Sequence, residues 1–339
     1  MNSTVRLSDI AKKLKVSAVT VSKALRSHPD IPTHTREKVI STAEKMGYTP
    51  NFMARNLSAR KTNTIGIVVP KIAHFFFGSI IEYIYDLAFD NNYEIILTVS
   101  QESAEREKKH IQTLLSMKVD GIIISISQDT TDYAIFDTVR RRGVPIVFID
   151  RIPNIKNVNK VYVNDRVGAF NAVEQAIKIG HRKIAHFAGY DAVNIGRQRY
   201  LGFTDAMKKY EIPIYKKWIF KGGFGEQYGY DSFLKLFKKN DLPEIIFTVT
   251  YPVALGVYKA VNELGLKIPD NIDIICFGDA NVQKYLSPPL SCIDQAPDLI
   301  AQSAFDIILH QINNPNEKGS KSIEIPTKLI LRGTCVKPD

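Results

Sequence analysis

Residues 5–26 read VRLSDIAKKLKVSAVTVSKALR, and this stretch decides the fold of the N-terminal region. Apolar residues recur at helical spacing in two short runs, separated by a turn at residues 15–17. The hydroxyls of Ser8, Ser17 and Thr33 can cap these two helices and a third one that ends at Gly47. A helix pair with a short turn, whose second helix exposes small, hydroxylated and basic side chains, fits the major groove of DNA.

Positive charge is concentrated in the same region. Residues 1–62 contain 12 Lys and Arg against 4 Asp and Glu, whereas the whole chain contains 45 against 35. The first 62 residues therefore carry a net charge of +8 out of +10. A small basic module of this kind is typical of nucleic-acid binding. The alternative, a solvated basic face on an ordinary helical bundle, leaves the helix-turn-helix spacing unexplained.

From Thr64 onward, apolar runs typical of buried strands alternate with helical patterns. The strand runs are 65–69, 95–99, 121–126, 145–149, 183–187, 245–248 and 272–277. The helical patterns include 79–90, 105–117, 167–179, 202–210, 228–238 and 253–264. This alternation predicts parallel sheets with crossover helices, arranged as two lobes. The chain would cross between the lobes at 160–164, 290–295 and 325–328.

Other classes of protein find little support in the sequence. No apolar run approaches the ~20 residues of a membrane-spanning helix, and residues 1–4 do not begin a signal peptide. Three widely spaced cysteines, Cys276, Cys292 and Cys335, argue against a disulfide framework or a zinc site. We also expect His181 and His186 to be structural, and we find no nucleophile or paired-carboxylate pattern. The sequence thus predicts no catalytic centre, no metal and no cofactor.

Short motifs along the chain are specific when their order and spacing are taken together. They are Val16-Ser17-x-x-Thr20-Val21-Ser22-Lys23-x-Leu25, Thr35-Arg36-x-x-Val39, Gly47-Tyr48-x-Pro50-Asn51-x-x-Ala54-Arg55-x-Leu57, Thr64-Ile65-Gly66-Ile67, Phe76-Phe77, Val119-Asp120-Gly121-Ile122, Asp150-Arg151, Gly180-His181-Arg182-Lys183-Ile184-Ala185, Arg199-x-x-Gly202-Phe203, Pro288-Pro289-Leu290 and Asp294-Gln295. On these residues the chain resembles the LacI/GalR family of bacterial transcriptional regulators over nearly its whole length.

The resemblance implies a small all-α helix-turn-helix head and an α/β two-lobed body with parallel sheets, like that of periplasmic binding proteins. We expect a DNA-binding domain at 1–49, a hinge helix and linker at 50–62, and an effector-binding and dimerisation domain at 63–339. The first lobe would comprise about 63–162 and 293–325, and the second about 163–292 and 326–339.

The same resemblance implies a cytoplasmic homodimer that regulates transcription as a repressor. Its partners would be double-stranded DNA with a pseudo-palindromic operator and a small effector, a sugar or a sugar phosphate, bound between the lobes. No membrane partner is expected. The dimer surface would include the helix at 79–90. An effector that changed the angle between the lobes would change the affinity for DNA.

The second helix of the head carries the expected contacts to the major groove. By motif, Ala18, Val19 and Lys23 face the bases, Thr20 and Ser22 hold phosphates, and Ser17 begins the helix. Phosphate contacts fix the register, whereas base contacts specify the sequence. Lys23 stands where many relatives have Arg, and a lysine lacks the bidentate fork that reads guanine, so its reading should be less strict.

Residues 50–58 resemble the hinge helix of the family, which folds on specific DNA and lies in the minor groove. Leu57 matches the leucine that wedges into the central base step, and such a wedge bends the duplex. Asn51 and Ala54 belong to the same segment, and Arg55 could reach a phosphate. The alternative for Leu57 is packing onto the core.

In parallel α/β folds, ligands bind at the carboxyl ends of the strands, here in the cleft between the lobes. The resemblance assigns effector contacts to Phe76, Phe77, Asp150, Asp165, Arg199, Phe224, Thr250, Tyr251 and Asp279. An aromatic face packs against a sugar or a base, and a guanidinium pairs with oxygens. The alternative is core packing for the phenylalanines and a surface salt bridge for Arg199.

Several positions depart from the family pattern. Gly278 stands where many relatives have an Asp that bonds sugar hydroxyls, so a carboxylate at this strand end would be Asp279. Thr250-Tyr251 replaces a common Asn-Asp, Asn164-Asp165 reverses the common order, and Phe75 replaces a proline. The loss of an acid, together with Arg199 and Arg197, favours an anionic ligand such as a sugar phosphate.

Two other functions compete with DNA-binding regulation. A sugar-binding protein of transport or signalling would have the same body, but it would have no use for the basic head. An α/β enzyme could use the cleft, but it would require a nucleophile or metal set that the sequence does not offer.

Overall fold

The computed structural model describes residues 5–25, 27–48, 61–73, 75–279, 282–317 and 319–337. The chain divides into two compact units, Met1–Thr62 and Asn63–Asp339, which we call the head and the body. The predicted fold class, a helical head and an α/β body with parallel sheets, is confirmed. None of the helices in the described ranges is long and apolar enough to cross a membrane.

Within residues 5–25 and 27–48, the head has three helices, α1 (Leu7–Leu14), α2 (Ala18–Leu25) and α3 (Thr33–Lys45). They enclose a small apolar core in which Ile10, Val21, Ala24 and Val39 are fully buried. The hydroxyl of Ser17 accepts a hydrogen bond from the backbone N–H of Thr20 at 3.0 Å, so Ser17 caps α2 as expected.

Two of the expected caps in the head are wrong. Helix α1 starts one residue before Ser8, and its first turn is closed by Asp9, whose carboxylate accepts from the backbone N–H of Arg6 at 2.8 Å. Thr33 is the first residue of α3, and Pro32 precedes it as N-cap. The expected end of α3 is observed, since Gly47 follows it with a φ of 68°.

The described part of the body contains two six-stranded sheets. The first sheet has the order β11 (Ser322–Ile325), β5 (Asn159–Val163), β4 (Ile146–Ile149), β3 (Gly121–Ile124), β1 (Thr64–Val69) and β2 (Glu94–Val99), all parallel. The second has the order β12 (Lys328–Ile330), β10 (Ser291–Asp294), β9 (Asp273–Phe277), β8 (Ile245–Thr248), β6 (Ile184–Ala188) and β7 (Ile219–Lys221). Only β12 is antiparallel to its neighbour.

Each sheet with its helices forms one lobe. The first lobe has α4 (Phe75–Asp90), α5 (Ala104–Ser116), α6 (Ala134–Arg141) and α11 (Pro297–Asn313), and the second has α7 (Asp165–Lys178), α8 (Asn194–Lys209), α9 (Glu226–Phe237) and α10 (Tyr251–Glu263). The chain changes lobe three times: after β5, after β10 and between β11 and β12. Central strands such as β1, β3 and β8 are buried throughout, as expected for parallel sheets covered on both faces.

Two helices begin four or more residues before the start of their sequence pattern. Helix α4 starts at Phe75 rather than at Ser79, and α8 starts at Asn194 rather than at Gly202. Gly202 lies inside α8, where a β-carbon would collide with the backbone oxygen of Arg166 on α7. This glycine therefore permits close packing of two helices and does not mark a helix end.

Candidate functional site

The first two turns of α2 present the predicted DNA-contacting residues together. Ala18 and Val19 are exposed, and the accessible fraction of Val19 is 64%. Thr20 is half-buried, and its hydroxyl lies 2.8 Å from that of Ser17. Ser22 is also half-buried on this helix. A large apolar side chain left exposed beside hydroxyl groups suits contact with another surface rather than with the head's own core.

Lys23 makes an ion pair at the surface of the head. Its Nζ lies 3.0 Å from Oδ2 of Asp30, and the hydrogen bond from Lys23 holds the pKa of Asp30 below its ordinary value. Ion pairs between exposed side chains contribute little stability. The Lys23 ammonium can therefore exchange Asp30 for a base or a phosphate at small cost.

The predicted hinge residues, Asn51, Ala54, Arg55 and Leu57, lie outside the described residues. Their assignment stays a prediction.

A cavity lies between the two lobes, at the carboxyl ends of strands from both sheets. Its empty space, including the part open to solvent, measures about 420 Å³. Five aromatic side chains line it: Phe76, Phe77, Phe224, Tyr251 and Phe277. Five polar residues also line it: Asp150, Arg151, Arg199, Thr250 and Gln295. The structure thus brings seven of the nine predicted effector residues together, from segments far apart in the chain.

The aromatic residues are held by their own neighbours. Phe76 and Phe77 meet edge to face with centroids 5.2 Å apart, and Phe77 is buried while Phe76 is partly exposed. The ring of Phe224 lies against Gly189, at which a β-carbon would collide with it. The core-packing alternative therefore describes Phe77 and Phe224 in part, since both are buried and line the cavity at the same time.

Arg199 is the most constrained polar residue of the cavity. It is 1% exposed, its Nε donates to Asp165 Oδ1 at 2.7 Å, and its Nη1 donates to the backbone oxygen of Val249 at 2.7 Å. Its guanidinium carbon lies 3.7 Å from the centroid of the Phe277 ring. Nη2 has no hydrogen-bond partner among the described residues. The alternative of a surface salt bridge is wrong for Arg199, because the pair with Asp165 is buried.

The two carboxyl groups near Arg199 are strongly desolvated. Burial raises the pKa of Asp165 to about 6 even though Arg199 lowers it. Burial also raises the pKa of Asp150, against the lowering influence of Arg199 and Arg151. Asp165 does not line the cavity. It accepts a hydrogen bond from Arg199, which does line it. Asp150 lines it directly and has a left-handed backbone with a φ of 58°.

Asp279 does not line the cavity, contrary to expectation. Its Oδ2 instead accepts a hydrogen bond from Nη2 of Arg332 at 2.7 Å. The space beside Gly278 is taken by Gln295, whose Oε1 would lie 2.9 Å from a β-carbon at that position. Arg197 is also absent from the lining and is exposed on α8.

Sequence reasoning missed Arg151 and Gln295 as lining residues. Nη1 of Arg151 donates to Glu102 at 2.7 Å, its guanidinium carbon lies 5.0 Å from the centroid of Phe224, and its Nε has no partner among the described residues. Both residues belong to motifs quoted above, Asp150-Arg151 and Asp294-Gln295. The sequence therefore pointed to both residues, although no role was assigned to them.

The two histidines of the second lobe have structural surroundings. Nε2 of His181 lies 2.9 Å from the backbone oxygen of Val336. His186 stacks on Phe203 and Phe247, and burial lowers its pKa to about 4. In the part of the chain that the structure describes, no group of three or more His, Cys, Asp or Glu could hold a metal ion.

Comparison with known proteins finds one family model that matches part of the head and another that matches part of the body. A family model described as "Bacterial regulatory proteins, lacI family" matches residues 6–51, and one described as "Periplasmic binding protein-like domain" matches residues 173–335. The "Probable HTH-type transcriptional repressor ExuR" of Bacillus subtilis is 30% identical over 332 residues, which cover 97% of each chain.

Two solved structures resemble the body and the whole chain. A lacI-family regulator from Enterococcus faecium with bound ribose is 25% identical, with a TM-score of 0.72 over 81% of this chain and 100% of that one. A lac repressor dimer bound to operator and to the anti-inducer ONPF has a TM-score of 0.85 at 24% identity, over 98% of this chain and 100% of that one, and this likeness concerns the fold.

Because a relative with 30% identity is covered almost completely and the lacI-family model matches the head, the chain belongs to the lacI family of bacterial regulatory proteins and is a DNA-binding transcriptional regulator.

Proposed function

We propose that this regulator is a homodimeric repressor whose affinity for a pseudo-palindromic operator is set by a small effector in the interlobe cavity. The observation that carries the proposal is the buried Nη2 of Arg199, a hydrogen-bond donor without a partner among the described residues, on a cavity lined by aromatic rings. A buried donor left unpaired costs stability, so a ligand that supplies an acceptor gains that free energy on binding.

The surface of α2 supports the DNA contact. Val19 and Ala18 offer apolar contact to a thymine methyl, and Lys23 offers a cation to guanine or phosphate. We propose that Ser17, Thr20 and Ser22 contact the phosphate backbone of DNA and so position α2 on it. A two-fold dimer requires a two-fold operator, and the lac repressor structure with a similar fold is a dimer bound to operator. Such a regulator acts in the cytoplasm.

The cavity supports a ring-shaped effector with oxygen substituents. The aromatic side chains provide flat apolar contact, Nη2 of Arg199 provides a donor, and the Asp150 carboxyl provides an acceptor. The second unpaired donor, Nε of Arg151, favours an anionic group such as the phosphate of a sugar phosphate. The relative from Enterococcus faecium, whose structure contains ribose, supports the carbohydrate class. We assign no catalytic step to this cavity.

Regulation follows from the position of the cavity between two lobes. An effector that contacts both lobes binds one angle between them better than another, and it shifts the population toward that angle. If that angle also changes operator affinity, operator DNA must change effector affinity by the same factor.

A thermal-shift screen of the full chain tests the effector assignment. Sugars, sugar phosphates, nucleobases and small acids are compared, because a ligand that binds only the folded state raises the melting temperature. We expect a sugar phosphate to raise it and to change operator affinity, and the Arg199→Lys variant to lose the shift. The matched control is Arg166→Lys, whose exposed side chain pairs with Asp205. Binding of neutral sugars without their phosphates would contradict the anionic effector.

A further inference from the structure

The two lobes bond to each other directly beside the cavity. The backbone N–H of Phe75, the first residue of α4, donates to Oη of Tyr251, the first residue of α10, at 3.0 Å. Their rings meet edge to face with centroids 6.4 Å apart. Tyr251 is 5% exposed, so water competes poorly for this hydrogen bond.

This hydrogen bond satisfies a donor that a helix leaves unpaired. The first backbone N–H groups of an α-helix have no acceptor within the helix. For α4, which belongs to the first lobe, the acceptor is supplied by the second lobe. Separation of the lobes would return the N–H of Phe75 to water.

Each partner of this hydrogen bond can be removed by one substitution. A proline at position 75 would have no backbone N–H to donate, and a phenylalanine at position 251 would have no hydroxyl to accept.

Two further contacts between protein groups join the lobes. The side-chain amide of Asn194, on α8, donates to the backbone oxygen of Asp150 at 3.0 Å and accepts from the backbone N–H of Ile152 at 3.0 Å. The Arg151 guanidinium, in the first lobe, lies over the Phe224 ring of the second. Groups of the protein thus bridge the cleft at Arg151 and at its two neighbours in sequence, Asp150 and Ile152.

We propose that the hydrogen bond between Tyr251 and Phe75 is a latch that holds the lobes closed before any effector binds. The role of the latch in regulation rests on the proposed function. The closed arrangement of the lobes depends only on contacts within the chain. Tyr251 is then a positioning residue. The hydroxyl of Tyr251 keeps the cleft closed before an effector binds there.

Distances between spin labels in the full chain test the latch. The native cysteines, Cys276, Cys292 and Cys335, are buried, so nitroxide labels can be directed to exposed introduced cysteines, Thr131→Cys in the first lobe and Glu226→Cys in the second. Dilution with unlabelled chain removes distances between subunits. We expect one dominant short distance without ligand. Tyr251→Phe removes only the hydroxyl and should lower the closed-to-open ratio about two- to tenfold, the effect of one hydrogen bond.

Two variants make this test specific. Phe75→Pro removes the N–H donor at the first position of a helix, where proline is tolerated, and it also removes the ring that meets Tyr251, so it should lower the closed-to-open ratio at least as much as Tyr251→Phe. In the Phe75→Pro background, Tyr251→Phe should have no further effect, because the hydrogen bond is already absent. Tyr230→Phe is the matched control, because its hydroxyl bonds Glu263 within the second lobe at 2.6 Å, and it should leave the distances unchanged.

A dominant long distance in the unmodified chain would overturn the latch, as would an unchanged distribution in Tyr251→Phe. These distances are measured without DNA or effector. Failure of the proposed function in the thermal-shift screen therefore leaves this result interpretable.

Discussion

The head and the interlobe cavity present their functional side chains in opposite ways. Val19 on α2 is 64% exposed, whereas Arg199 in the cavity is 1% exposed. The head offers its side chains to a large partner and stabilises itself with a separate small core. The cavity uses residues that also hold the lobes together, so function and stability are coupled there. Substitutions in the cavity should therefore change stability much more than substitutions on α2.

The largest expected effect is that of Arg199→Ala on stability. The change leaves the carboxyl of Asp165 buried without its cation and the backbone oxygen of Val249 without its donor. Loss of one partner from a buried pair costs about 3–5 kcal/mol of unfolding free energy. Urea denaturation measures it. Arg166→Ala, which breaks an exposed pair with Asp205, should cost less than about 1 kcal/mol, and equal losses would remove the contrast between buried and exposed sites.

The buried carboxyl of Asp165 should make stability depend on pH. Its pKa is raised from 3.8 to about 6, so between these values the native state keeps a proton that the unfolded state has lost. Stability therefore falls as pH rises through this window, by up to about 3 kcal/mol for a shift of about two units. Denaturation of the unmodified chain and of Asp165→Asn between pH 4 and 7 isolates this contribution. A constant difference between the two proteins would contradict it.

Replacement of Lys23 should change recognition and leave stability nearly unchanged. Lys23→Ala should relax the preference at one position of each operator half-site by about 1–3 kcal/mol, because a base contact is lost. Binding to a set of single-base operator variants measures this. Lys45→Ala, which removes an exposed charge from the end of α3, serves as the control for charge alone. A uniform loss across all sequences would make Lys23 a phosphate contact instead.

The smallest expected effect concerns the cap of α2. Ser17→Ala removes the acceptor of the Thr20 N–H and should destabilise α2 by about 1 kcal/mol. Hydrogen exchange of the α2 amides in the full chain should accelerate about fivefold. Ser8→Ala is the matched control, since Ser8 lies inside α1 and Asp9 closes that turn. If Ser8→Ala accelerated exchange of the α1 amides as much as Ser17→Ala accelerates exchange of the α2 amides, the assignment of the caps would be wrong.

The same contrast explains which features could be predicted from sequence. The strand 245–248 matches its predicted run residue for residue, because a strand buried on both faces is a nearly continuous apolar run. The start of α8 could not be read in this way. Gly202 looks like a helix boundary in the sequence, and only the approach of α7 shows that it permits packing.

The cavity was predictable as a set of residues but not as a set of contacts. Motifs indicate Arg199 and Phe224, yet hydrogen-bond partners of these residues lie 26 or more positions away. The motif indicates Asp279 because Gly278 leaves it as the carboxylate at this strand end, whereas Asp279 pairs with Arg332, 53 residues later. Gln295 was missed because its role depends on the space beside Gly278. Sequence patterns record burial and spacing, and they do not record which distant side chain competes for a polar group.

Selection from a randomised pool of DNA duplexes tests whether the head gives this regulator its sequence-specific binding to DNA. The full chain and residues 63–339, which lack the head, are compared under the same conditions, and each enriched pool is sequenced. We expect the full chain to enrich a two-fold symmetric motif and residues 63–339 to enrich none. No enriched motif with the full chain, or the same motif with residues 63–339, would contradict it.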